Sequence, residues 1–319
     1  MNFLLKINKN SIDMKSSFIK AVEDIFFKYS ETAIVLGDIG HFGFKKIWSD
    51  PNNQNRYYNL GILEQTMVGF SAGLSKGNFY PIIHTITPFL IERPYEQIKV
   101  DFGLNKLGGC FISVGGSFDY SNLGPTHHSY NDLALFSSIP GSNVFSVSSF
   151  NELQYSLQYS VENKSLSYIR MNRNIHNFDL SQNKEINLEC YKLTEGNDVT
   201  IVVSGGRIKD TIEASEAFEN QLNKSVEIIV VTKIKPLDML LIDKSIFKTR
   251  KLLVVEDHGI NGSLYSAIVS SSKCYTGYTH ESINLSNNSI SGYGTYEELA
   301  KKYELSIKNI FKKLIQITL

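Results

Sequence analysis

An α/β fold in two domains, each a mainly parallel sheet flanked by helices, is what the sequence predicts. Three observations lead there. Short apolar runs rich in β-branched and aromatic residues alternate with amphipathic stretches almost from end to end. The apolar runs mostly lack polar alternation, as strands covered on both faces do. The alternation fails once, over the polar, Asn-rich stretch 174–196 of the 319-residue chain. That stretch reads as a linker between domains spanning 1–185 and 186–319.

The elements follow in order. MKSSFIKAVEDIFFKYS (14–30) carries Phe18, Val22, Ile25 and Phe26 at helical spacing. Strand-like runs are TAIVLGD (32–38), GCFISVGG (109–116), NVFSVSS (143–149) and SLSYIRM (165–171). DVTIVVSGG (198–206), VEIIVVTKI (226–234) and KLLVVEDH (251–258) continue the pattern. Strand, helix and strand repeated in this way imply right-handed crossovers. A helix begins near Glu64 with Gly69, Gly73 and Gly77 at every fourth position. Each interior glycine costs about 1 kcal/mol relative to alanine. Close approach of another backbone, in the fold or in a second subunit, would offset that. Gly77 is expected to end the helix in a left-handed conformation. Ser149 with Glu152, and Thr295 with Glu298, have capping-box spacing.

Composition narrows the function classes. Lys and Arg total 32 against 32 Asp and Glu, so no basic excess points to nucleic acid or a membrane surface. No apolar run approaches the roughly twenty residues of a spanning helix. The start, MNFLLKINKN, does not read as a signal peptide. Cys110, Cys190 and Cys274 are far apart and suggest neither a disulfide framework nor a zinc site. The sequons at Asn163, Asn223, Asn261 and Asn287 carry little weight without an export signal. A cytoplasmic protein is the expectation. VVSGGRIKD lacks the glycine spacing of a dinucleotide fingerprint.

NLGILEQTMVGFSAGL (59–74) resembles the segment around the catalytic glutamate of the transketolase family, with Gly61, Ile62, Glu64 and Met67 in the motif's places. HTITPFLIERPYEQIK (84–99) is similar to that family's cofactor segment, and GPTHHSYNDLALFSSIPG (124–141) to its G-P-T-H stretch. DVTIVVSGG, KIKPLD, VVEDH and SGYGTYEELAKKY follow in the order of its carboxy-terminal domain. Several ordered motifs over nearly the whole chain make the resemblance specific.

The resemblance implies thiamine diphosphate chemistry, in which the cofactor is an electron sink. Glu64 matches the glutamate that hydrogen-bonds N1′ of the aminopyrimidine and helps the cofactor deprotonate its own thiazolium C2. Phe89 matches the aromatic that stacks on the pyrimidine, with Ile62 and Ile86 lining the apolar pocket; Ile86 replaces a family Phe. His127 matches the histidine facing the reacting carbonyl, and His128 stands where the family has Gln. Arg170 lies where the family carries a substrate-phosphate arginine, and a structural ion pair is its other reading.

Departures cluster on the substrate side. Gly115 stands at a family histidine position, Asn122 and Leu123 replace an acidic pair, DIGHFG (38–43) replaces D-L-A-x-S, and Lys15 sits near a common arginine. The resemblance implies a two-carbon ketol transfer between sugars or sugar phosphates, and these changes predict a non-standard acceptor. The family's G-D-G motif for diphosphate and Mg²⁺ has only GDIG (37–40) as its nearest string, at the wrong point in the chain. The expectation is therefore the carboxy-terminal subunit of a split enzyme. An amino-terminal partner would supply the diphosphate and Mg²⁺ grip in an α₂β₂ assembly. The competing readings are the β subunit of a 2-oxo-acid dehydrogenase E1 and a regulatory module that keeps the fold without catalysis.

Overall fold

The structure, a computed structural model, describes residues 1–6, 12–180, 186–273, 277–285 and 290–319. Cys274, the Asn287 sequon and the expected domain junction at 185 lie outside the described residues. The first sheet has seven strands in the spatial order Lys233–Lys235, Asn143–Val147, Leu166–Met171, Gly109–Val114, Tyr80–Ile86, Thr32–Leu36 and Tyr57–Asn59. All its pairings are parallel except the first, between Lys233–Lys235 and Asn143–Val147. The second sheet orders Thr279–Ile283, Lys251–Val255, Val199–Val203, Val226–Val231 and Cys190–Lys192, with only the last pair antiparallel. Parallel order follows from burial on both faces: every residue of Thr32–Leu36, Tyr80–Ile86 and Val199–Val203 is buried.

Helix Met14–Lys28 packs Phe18, Val22, Ile25 and Phe26 on one face of the first sheet, beside Ile34, Leu36 and Phe145. Helix Glu64–Lys76 covers the other face with Met67, Val68 and Ala72. The same apolar cluster continues into Val202, Ile229, Leu252 and Val254, so one core runs across both sheets.

Several expectations are corrected. The stretch 174–196 is not all linker. Cys190–Lys192 forms an edge strand, and Thr194–Glu195 pairs antiparallel with Asn2–Phe3. Gly77 has φ −81° and closes the helix through its N–H to the Gly73 carbonyl. Asn78 takes the left-handed conformation instead, at φ 69°, as an Asn with a short polar side chain can. No backbone of the described chain approaches Gly73, and Gly69 faces only the Asp101 carboxylate at 3.8 Å. Close packing on those glycines within the described fold is excluded. The Thr295–Glu298 capping box is present. At Ser149 only half of one forms, because the Glu152 carboxylate turns inward, accepting from Ser148 N–H, Tyr191 O–H and Thr232 O–H.

Charged groups stitch the two sheets together. Arg170, on Leu166–Met171, is fully buried; it donates to Asp257 Oδ1 at 3.1 Å and lies 3.7 Å from Asp132 Oδ1. A hydrogen-bonded chain runs from Thr87 through Ser113 and Tyr168 to Asp132, with links of 2.7–2.8 Å. On the far side Tyr296 donates to Asp257 Oδ2 at 3.2 Å. Arg170 has room because residue 116 is glycine: a Cβ there would run into its guanidinium. Removing one partner of such a cluster leaves uncompensated buried charge, at a cost of about 3–5 kcal/mol. Arg170→Leu is therefore expected to lower unfolding stability by about that much in a urea titration.

Asp119 lies at the edge of the same cluster. Burial, helped by the Asp257 carboxylate and opposed by Arg170 and Arg173, pushes its pKa from 3.8 to about 7. The folded chain thus holds a proton that the unfolded chain releases between these values. Asp119's contribution is complete below pH 3.8 and is lost as pH rises toward 7. Asp119→Asn should remove that slope. The stability gained over wild type should grow from pH 4 to pH 7 by up to about 4 kcal/mol in urea titrations at stepped pH.

Candidate active site

The site forms where loops leave the carboxyl ends of the first sheet's strands, the usual place for ligands in open α/β sheets. Its acid enters through a tight turn. Asn59 Oδ1 accepts from the backbone N–H of Asp38 and of Gly61, and Gly61 takes φ 71°, which glycine adopts freely. The chain then starts helix Glu64–Lys76 with no side-chain cap, and Glu64 fills the first turn. Glu64 is 1% exposed. Its Oε2 accepts from Arg93 Nη1 at 2.7 Å, while Oε1 is buried with no hydrogen-bond partner. A carboxylate oxygen left bare in the interior costs about 1–3 kcal/mol.

Phe89 comes from Pro88–Glu92, a wide π-type turn closed by Arg93 N–H to the Pro88 carbonyl at 3.1 Å. Such turns often mark functional positions. The turn carries Arg93 over the Phe89 ring, with the guanidinium 4.3 Å from the centroid. On Phe89 the His127 ring packs edge-on, 5.1 Å between centroids. His127 ends the short 3₁₀ turn Pro125–His127, which is entered through Gly124 at φ 78°. Its Nδ1 lies 3.0 Å from the Thr126 hydroxyl. Tyr293, reaching over from the second sheet's side, lies against Gly124, where a Cβ would meet its ring.

Arg93 thus links Glu64 to Phe89, and His127 joins the group by packing on Phe89. Ile62 stands at the rim, 69% exposed, and Ile86 is buried at the end of its strand. His128 turns away from the group into the interior against Phe118, and burial pushes its pKa down. Arg170 lies inside the buried cluster between the sheets. Arg93 escaped sequence reasoning, because its place depends on the extra residue of the π-type turn. The Arg93 cation four positions after Phe89 was the one signal available. Tyr120 was missed as well. Its ring fills the space over Gly115, where a Cβ would strike it, and lies 6.4 Å from His127. Beside Tyr120 opens a cavity of about 620 Å³ whose lining includes Lys15, Phe18, His84 and Arg173. Burial holds the His84 pKa down to about 4, so it is neutral at pH 7.

Among the described residues, no group of three His, Cys, Asp or Glu side chains is placed to hold a metal ion. No helix among them is long and apolar enough to cross a membrane.

Comparison with known proteins adds the lineage. The family model described as "Transketolase, pyrimidine binding domain" matches residues 10–177, and "Transketolase, C-terminal domain" matches 189–310. The chain is 29% identical over 220 residues to one of the subunits of an apulose-4-phosphate transketolase from Actinobacillus succinogenes, covering 67% of this chain and 69% of that one. It is 27% identical over 266 residues to a "Putative transketolase C-terminal section" of Methanocaldococcus jannaschii, with 82% of each covered. A solved structure titled "Split gene transketolase, inactive beta4 tetramer" superposes with a TM-score of 0.78 at 22% identity, covering 97% of this chain and 100% of that one. At that identity the superposition speaks for the fold.

Proposed function

The chain belongs to the transketolase family of thiamine-diphosphate enzymes, and from that premise we propose that it is the carboxy-terminal subunit of a split transketolase. Residues 1–185 would form its pyrimidine-binding domain and 186–319 its carboxy-terminal domain. Its reaction moves a two-carbon ketol unit between sugars. The observation that carries the proposal is Glu64 Oε1, a buried oxygen without a partner on a carboxylate whose other oxygen holds Arg93, the guanidinium that lies over Phe89. An aminopyrimidine nitrogen meeting that oxygen and a ring face meeting Phe89 fit these residues. When bound, thiamine diphosphate supplies the electron sink for the ketol unit. Glu64 holds a proton at Oε1 against the ring, and Phe89 orients the ring by stacking. His127, with Nδ1 engaged by Thr126, keeps Nε2 for a proton on the sugar.

The diphosphate and Mg²⁺ grips belong, in this reading, to an amino-terminal partner subunit. The relatives support that division, since one is named as a single subunit of a transketolase and another as a C-terminal section. The bare helix face at Gly69 and Gly73 suits a second copy, and hence an α₂β₂ assembly. The acceptor would be non-standard. Arg170 is buried between Asp132 and Asp257, and glycine replaces the family histidine at 115 with Tyr120 over it, which supports a changed substrate side.

The test is reconstitution. Glu64→Gln, assembled with the partner, Mg²⁺ and thiamine diphosphate, should keep the complex intact and lose ketol transfer by about 10²–10⁴-fold. Turnover at the wild-type rate would remove Glu64 from the chemistry. Efficient use of ordinary pentose phosphates by the wild-type assembly would overturn the non-standard acceptor.

A further inference from the structure

Glu64, Phe89 and Arg93 form a closed set. The Arg93 guanidinium donates to Glu64 Oε2 at 2.7 Å and lies over the Phe89 ring at 4.3 Å. An aromatic ring bound by the same acid and the same phenylalanine needs the Phe89 face that the guanidinium covers, and meets the carboxyl at the neighbouring Oε1. It would lie over Phe89 and present a polar edge to the Glu64 carboxyl. A guanidinium is planar, stacks on aromatic faces and carries donors along its edge, so it imitates such a ring closely.

We propose that Arg93 is a placeholder for the cofactor's pyrimidine ring, occupying its seat in the free subunit and leaving when the ring enters. The inference rests on the reading of Glu64 and Phe89 as the ring-binding pair.

Three features make the exchange practicable. The Arg93 side chain is 40% exposed, whereas that of Glu64 is 2% exposed, so the cation has an exit to water and the acid does not. Among the described residues, Glu64 and Phe89 are the groups that hold the guanidinium. The backbone of Arg93 is fixed separately, by its N–H to the Pro88 carbonyl, so the side chain can turn without unwinding the π-type turn. The placeholder also has a purpose in the unloaded chain, because a buried carboxylate with no cation nearby is strongly disfavoured.

A seat that is usually filled weakens binding by the fraction of time it stands open. With the seat open in about one molecule in ten, removing the side chain tightens binding about tenfold. The probe is 4-amino-5-hydroxymethyl-2-methylpyrimidine, an uncharged compound carrying the cofactor's ring, titrated calorimetrically into the full-length chain. Arg93→Ala should bind it about tenfold more tightly than wild type. In the wild-type chain the Arg93 Nε resonance should move toward that of a solvated arginine as the probe saturates. Arg93→Met, which keeps an apolar chain over Phe89 and removes the donors, should bind at least as well as wild type. Weaker or equal binding by Arg93→Ala, in a variant whose melting matches wild type, would overturn the proposal and make Arg93 a fixed support of Glu64. If neither wild type nor variant binds the probe, the reading of Glu64 and Phe89 as a ring-binding pair fails and the placeholder falls with it. If both bind and only the order of affinities is wrong, that reading stands and the placeholder alone is lost.

Discussion

A guanidinium sealed between two sheets sets the terms for the rest of the molecule. Arg170 leaves the end of a central strand of the first sheet and meets Asp257, which follows a strand of the second. Neither charge is tolerable alone in that interior, so each sheet fixes the position of the other. Asp132 joins from the helix that follows the His127 loop, and through Tyr168 and Ser113 the same network reaches Thr87. Thr87 directly precedes the π-type turn bearing Phe89 and Arg93. The loops of the site are thus hung from a rigid charge cluster, which is how a few loop side chains hold a fixed spacing. The glycines at 115 and 116 belong to the same design, since side chains there would collide with Tyr120 and Arg170.

This arrangement also changes what a family resemblance can transfer. Matching motifs place Arg170 at a substrate position, yet its side chain is fully buried between two carboxylates, out of reach of an outside anion. Exposed cations lie elsewhere: Lys15 and Arg173 line the cavity beside Tyr120.

What the sequence made legible follows from where side-chain burial dominates. Continuous β-branched runs identified the central strands because burial on both faces demands them. Tyr80–Ile86 is equally central and equally buried, but YPIIHTI carries Pro81 and His84, which do not read as core strand. The edge strands Tyr57–Asn59, Cys190–Lys192 and Thr279–Ile283 are short and partly polar, because one side of each meets solvent or loop. Glu64, Phe89 and His127 were found by motif and converge in space. Arg93, Tyr120 and the inward turn of Glu152 were not. Their roles come from tertiary neighbours, with a π-type turn, a missing Cβ and a second sheet as the respective causes.

The unpaired oxygen on Glu64 brings these threads together. Proteins rarely bury a polar atom without a partner, and where one persists its cost must be met by the surrounding structure. Here about 1–3 kcal/mol is set against a helix start and a salt bridge to the other carboxylate oxygen. An acceptor of this kind gains most from a ligand that restores the missing bond. Ligands lacking a polar edge would leave that oxygen bare. In the proposed reading, a flat, nitrogen-bearing ring is selected through the half of the Glu64 carboxylate that the fold leaves unsatisfied.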